Sequence, residues 1–145
     1  MANTQEWLNA KVKGSAHAGL LLDPIPAVAG GGSPVIVALG SEATKVVYVG
    51  ERHGGTTLRV GFAAKDRWAN EEVEDAVESN GGTMTEFLED AMEADDALEY
   101  PVQHFHEAGW FHFACDLPAA DLDRVWYYLD GYARAILPIV SKAKE

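Results

Sequence analysis

The spacing of apolar residues changes period along this chain, and nothing else in the sequence constrains the fold as tightly. From Thr57 to Phe62 the residues alternate, Leu58, Val60 and Phe62 against Thr57, Arg59 and Gly61. That is the two-residue period of a strand with one apolar face. Val35-Ile36-Val37-Ala38-Leu39 is a continuous apolar run rich in β-branched residues, as expected of a central strand buried on both faces. Val46-Val47-Tyr48-Val49 reads as another strand, and Gly40-Ser41-Glu42 and His53-Gly54-Gly55 supply the turns of a three-stranded antiparallel meander. Leu20-Leu21-Leu22 reads as a further short strand, followed by a connecting loop through Pro24, Pro26 and Gly30-Gly31-Gly32.

Elsewhere the period is helical. Asn3 and Glu6 can form a capping box for a helix carrying Trp7, Leu8 and Val12 and stopping near Gly14. After Phe62, Asn70 can cap a short helix over 71–79 that ends at Asn80-Gly81-Gly82. Thr83 with Glu86 can start another, whose Met84, Phe87, Leu88, Ala91 and Met92 form one apolar stripe. The last element is the clearest. From Pro118 or Asp121 onward, Leu122, Val125, Trp126, Leu129, Ala133, Ile136, Leu137 and Val140 keep helical spacing, with Pro138 expected to kink or end the helix.

Between them, Tyr100 to Leu117 reads as a β-hairpin. A three-residue loop, Glu107-Ala108-Gly109, would pair His106 with Trp110, Phe105 with Phe111 and His104 with His112. It would also put Gly109 where a bulged turn wants a left-handed residue. Phe105, Phe111, Phe113 and Cys115 would then share one face, and His104, His106, Trp110 and His112 the other. The expected fold is α+β. It is a five- or six-stranded, largely antiparallel sheet with helices packed on it, in the order α-βββ-αα-ββ-α, as a single domain over 1–145.

Composition narrows the partners. The chain of 145 residues carries a net charge of −12, and there is no Lys or Arg between Trp68 and Asp123. Such a field repels phosphate backbones and anionic lipid, so nucleic-acid and membrane roles are disfavoured and basic partners favoured. The apolar stretch from Ala18 to Leu39 is broken by Asp23, Pro24, Pro26 and Pro34, so no membrane span is expected. The single Cys115 and a start without a basic or apolar leader segment point to a cytoplasmic protein.

In its last third a hairpin ending in Phe111-His112-Phe113-Ala114-Cys115-Asp116-Leu117-Pro118 runs into a long amphipathic helix. With the order of elements, this resembles the bacterial type III secretion chaperone-like fold, and within it the YbjN-type proteins of undefined function. The resemblance implies a small acidic α+β domain, often a homodimer, with no cofactor and no catalytic residues. It also implies a surface that holds an extended stretch of a partner protein. The split at Asn80-Gly81-Gly82 and the long proline-rich stretch before Val35 depart from that pattern and leave the dimer surface open.

Few residues could carry chemistry. His104, His106 and His112 are a candidate metal set, an H-x-H on one strand and a third imidazole on its neighbour, with water as the fourth zinc ligand. Cys115 could act as a nucleophile only beside a base that lowers its pKa; sharing a face with Phe111 and Phe113, it reads as a buried apolar thiol. Gly30-Gly31-Gly32-Ser33 lacks the Lys-Ser/Thr ending of a phosphate loop, and the acidic run lacks calcium-loop spacing. The expected function is a non-enzymatic protein-binding module, chaperone-like or regulatory, without cofactor, acting as a homodimer on a basic or extended protein partner. The alternative is a small zinc-dependent enzyme on the histidine hairpin. A third is a small-ligand sensor, which needs an enclosed apolar cavity.

Overall fold

The computed structural model describes residues 4–15, 17–22, 35–42, 45–52, 56–65, 71, 73–75, 78, 103–107 and 109–141. The first helix, α1 (Thr4–Lys13), has Glu6 in its first turn and Lys11 and Lys13 in its last, each complementing the helix dipole there. Its buried residues, Leu8 and Val12, lie one turn apart on the face turned to the core. The helix closes where the Gly14 N–H reaches the Ala10 carbonyl at 3.1 Å, and the Ser15 hydroxyl donates to the Val12 carbonyl at 2.7 Å. The Asn3 cap lies outside the described residues. A short 3-10 turn, Ala18–Leu20, follows. Of the short strand expected at Leu20 to Leu22, only a single bridge between Leu21 and Leu39 forms. The Leu20 N–H is instead taken by the His17 carbonyl at 2.9 Å, which commits Leu20 to the turn.

Five strands follow: β1 (Val35–Glu42), β2 (Lys45–Arg52), β3 (Thr57–Ala64), β4 (Gln103–Glu107) and β5 (Trp110–Pro118). Strands β1, β2, β3 and β5 make the antiparallel body of an open sheet, and β4 extends it beyond β5 in the order β1-β2-β3-β5-β4. The expected α+β class with an antiparallel sheet is therefore present. Two expectations for β1 are not met. Gly40-Ser41-Glu42 is strand rather than turn, with Glu42 pairing Lys45, and β1 lies at the rim instead of the centre. A run of β-branched residues reports burial on both sides, and here a rim strand is buried because both faces of the sheet are covered.

The alternation of β3 sorts those faces. Leu58, Val60 and Phe62 join Val47, Val49, Phe113, Cys115 and Leu117 in the main core. Ala63 joins Ala38, Val46, Tyr48 and Trp110 in a second cluster on the opposite face. Helix α2 (Leu122–Ser141) lies over β2 and β3, while α1 packs against β1. Asp121 starts α2: its carbonyl accepts the Val125 N–H at 3.1 Å and its side chain the Arg124 N–H at 3.2 Å. Val125, Leu129, Tyr132 and Ile136 are fully buried against the sheet, and each such side chain is worth roughly 1.5–3 kcal/mol. The helix continues through Pro138 to Ser141. A proline in the last turn removes one donor, so it need not end the helix there. Among the residues between β3 and β4, Glu71, Val73–Asp75 and Glu78 are helical and Val73 is fully buried in the main core. The Thr83 cap, the Met84 to Met92 stripe and the start of the hairpin at Tyr100 lie outside the described residues.

The hairpin register differs from the expected one. Glu107 pairs with Trp110, His106 with Phe111, Phe105 with His112 and His104 with Phe113. The loop therefore has two residues, Ala108 and Gly109, and Gly109 takes the left-handed conformation at φ 85°. A three-residue loop would keep Phe105 with Phe111 and leave His112 on a polar face. The second face is itself apolar and buried, so His112 sits there at 0% exposure and the apolar argument loses its force.

Gly61 marks the tightest approach in the sheet. A Cβ there would lie 2.3 Å from the Phe113 carbonyl oxygen and 2.4 Å from the Ala114 Cβ, distances that backbone on both sides cannot relieve. Gly61→Ala should therefore lower the unfolding free energy by about 1–3 kcal/mol, read from the midpoint of urea denaturation at unchanged slope.

Candidate functional site

The sequence singles out three histidines, His104, His106 and His112. Directly paired residues share a face, so the register puts His104 and His106 on the face of Phe113 and Phe111, and His112 with Phe105 on the other. His112 is fully buried, its Nδ1 2.9 Å from the Tyr48 hydroxyl and its ring edge-on to the tyrosine at 76°. His106 is exposed and lies against Phe111 with ring centroids 4.7 Å apart. The sheet thus separates the third histidine from the other two. Among the described residues no group of three or more His, Cys, Asp or Glu is placed to hold a metal ion. His112 is better described as a structural group, whose ring nitrogen and the Tyr48 hydroxyl satisfy one another inside an apolar layer.

Cys115 is buried beneath α2, with the Tyr132 hydroxyl 3.7 Å from its sulfur. Burial pushes its thiol up to about 12, opposed by the Tyr132 bond, raised further by Asp116 and lowered slightly by Arg59. Burial likewise holds the Tyr132 phenol well above its ordinary range. A neutral thiol in this setting is a poor nucleophile. On the opposite face of the sheet Arg59 bonds Asp116 at 2.9 Å, a cross-strand ion pair between β3 and β5.

A second tie joins the segment after α1 to α2. The His17 Nε2 lies 2.7 Å from the Asp130 carboxylate, and Arg134 reaches the other oxygen of the same group at 3.1 Å. Trp126 stands edge-on to the His17 ring, with centroids 6.5 Å apart. Together with the Ala18–Leu20 turn, this anchors the chain that carries Leu21 and Leu22 toward β1.

That anchoring shapes a half-open groove of about 340 Å³ between α1 and the rim of β1, lined by Gln5, Asn9, Lys13, Leu21, Leu22, Val37 and Ala38. Its volume falls at the small end of the usual range for binding clefts, roughly 300–1,000 Å³. Gln5, Asn9 and Lys13 recur at four-residue intervals, so they run down one side of α1 as a line of donors beside the buried Leu8 and Val12. The Gln5 amide donates to the Ile36 carbonyl at 2.9 Å, and the Leu22 N–H donates to the Ala38 carbonyl at 2.9 Å. Two outward carbonyls of β1 are therefore already occupied. Leu21 and Leu22 give the groove its apolar side. Sequence reasoning missed these residues. The signal available was the i, i+4, i+8 repeat of long polar side chains on a helix whose other face is apolar.

The buried thiol has a measurable consequence. Its folded pKa lies above its ordinary value of 9.0, so the proton is held more tightly in the folded state. The associated stability is full below pH 9 and is lost as pH rises through about 12. Denaturation midpoints should fall over that alkaline window, and native protein at pH 8 should resist iodoacetamide that labels it fully in guanidinium. Losing the Tyr48 hydroxyl should also register: Tyr48→Phe leaves a buried His112 nitrogen without that partner and should cost about 1–3 kcal/mol in chemical denaturation. Among the described residues no helix is long and apolar enough to cross a membrane. Compared with known protein families, characterised proteins and solved structures, the chain matches none.

Proposed function

We propose that this protein is a non-enzymatic, protein-binding module, chaperone-like or regulatory, that acts in the cytoplasm as a homodimer. The finer architecture belongs to the same proposal: a type III secretion chaperone-like domain of YbjN type, with the full order α-βββ-αα-ββ-α. The observation that carries the reading is the groove between α1 and β1. It is half-open, so it suits a chain passing through better than a small molecule enclosed on all sides. Its donor line, Gln5, Asn9 and Lys13, faces apolar Leu21 and Leu22. An extended segment offers backbone carbonyls to such donors at regular intervals and apolar side chains to the leucines. The net charge of −12 attracts a basic partner at long range, while Lys13 acts locally on carbonyls.

The reading is tested with extended peptides selected from a displayed library against the whole protein and measured by fluorescence anisotropy. Lys13→Glu and Asn9→Ala together should weaken the selected peptides by about tenfold or more, the loss of at least one hydrogen bond involving a charged group. Tyr127→Ala, on the exposed side of α2, should leave them unchanged. Equal binding by the groove variants would remove the groove from the proposal.

A further inference from the structure

The three long donors of the groove between α1 and β1 are not equivalent. Gln5 is already spent, because its amide reaches across to the Ile36 carbonyl at 2.9 Å and ties the two walls together at one end. Asn9 is half-buried and Lys13 exposed. Among the described residues, no hydrogen bond or ion pair engages either side chain. Lys13 is also the one charged residue among the described groove lining, which holds no carboxylate to neutralise it. Leu21 and Leu22 stand half-buried on the other side.

The spacing of the two remaining donors fits an extended chain. Asn9 and Lys13 are four residues apart on α1, about 6 Å along the helix axis. An extended polypeptide advances about 3.3 Å per residue, so acceptors on one side of it recur at about 6.6 Å. Two acceptors placed two residues apart therefore meet both donors. A neutral carbonyl suits the Asn9 amide. The Lys13 ammonium is matched best by an anion, since hydrogen bonds between charged partners are roughly twice as strong as neutral ones. The backbone of a polypeptide offers one such group, the carboxylate at its C-terminal end.

We infer that the groove captures the free C-terminal end of a partner polypeptide. Lys13 holds the terminal carboxylate, Asn9 holds the carbonyl two residues before it, and Leu21, Leu22 and Val37 seat apolar side chains of the last residues. Beyond Asn9 the Gln5–Ile36 tie turns the partner out of the groove, so only about three residues are read, in keeping with a cavity of about 340 Å³. The rest of the partner lies over a chain of net charge −12, which favours basic residues upstream of the terminus. The apolar wall is formed in advance, because His17 on Asp130 and the Ala18–Leu20 turn set Leu21 and Leu22 beside β1. A preformed wall lowers the ordering cost of binding. The inference rests on the protein-binding reading and narrows its partner to a chain end.

The test uses the full chain and a synthetic set of fluorescein-labelled hexapeptides, Lys-Lys-Gly-X-X-X, with X drawn from Ala, Val, Leu, Ile and Phe. Each is made as the free acid and as the carboxamide, and binding is read by fluorescence anisotropy. The best free acids should bind about tenfold or more tighter than their own carboxamides, and two glycines added after the last apolar residue should lower affinity by a similar factor. Lys13→Gln should erase the preference for acid over amide and Lys13→Arg should keep it. Asn9→Ala should weaken both forms by the same factor, which separates the two donors. Tyr127→Ala, outside the groove, should change nothing, and circular dichroism checks that each variant folds. Equal binding of acid and amide, or a preference that survives Lys13→Gln, would overturn the inference. If the two forms bind alike and the groove variants weaken both, the terminus is lost and the extended-segment reading stands. Absence of binding in either form removes both.

Discussion

The molecule depends on a sheet buried from both sides. Most antiparallel sheets turn one face to water and show a clean apolar-polar alternation. Here Val47, Val60, Phe62 and Phe113 lie under the helices, while Ala38, Val46, Tyr48, Ala63 and Trp110 form a second apolar layer behind them. Each polar group admitted to that second layer must arrive with a partner, because an unsatisfied one inside it costs more than its net worth when paired. His112 comes with Tyr48 and Arg59 with Asp116. The close contact at Gly61 has the same origin, since β3 and β5 approach without room for a methyl group between them.

This double burial also explains what the sequence made legible and what it hid. The alternation of β3, the stripe of α2 and the turn at Gly109 were all readable, since each follows from a local period or a single residue's backbone preference. The place of β1 in the sheet was not. An apolar β-branched run reports that both faces are covered but is silent on how many neighbours a strand has. The hairpin register failed for a related reason. A histidine ordinarily marks a polar face, and His112 occupies an apolar one by sharing a hydrogen bond with a residue 64 positions earlier. No short-range pattern announces a partner at that separation.

The groove was illegible in a different way. Gln5, Asn9 and Lys13 are ordinary surface residues on a helix, and they acquire a role only because the segment after α1 folds back to lay Leu21 and Leu22 beside β1. That return is held by His17 on Asp130, a contact across 113 positions of sequence. Local chemistry and distant anchoring thus meet at one rim of the sheet.

The β1 rim is finished by the chain itself, and this limits how the protein can stick to itself there. At β1 the Gln5 amide and the Leu22 backbone cover the Ile36 and Ala38 carbonyls, so an incoming strand finds part of the ladder already taken. A molecule with two adhesive rims would stack head to tail without limit, as fibres do. With β1 partly blocked, such stacking finds no complete open ladder at that rim.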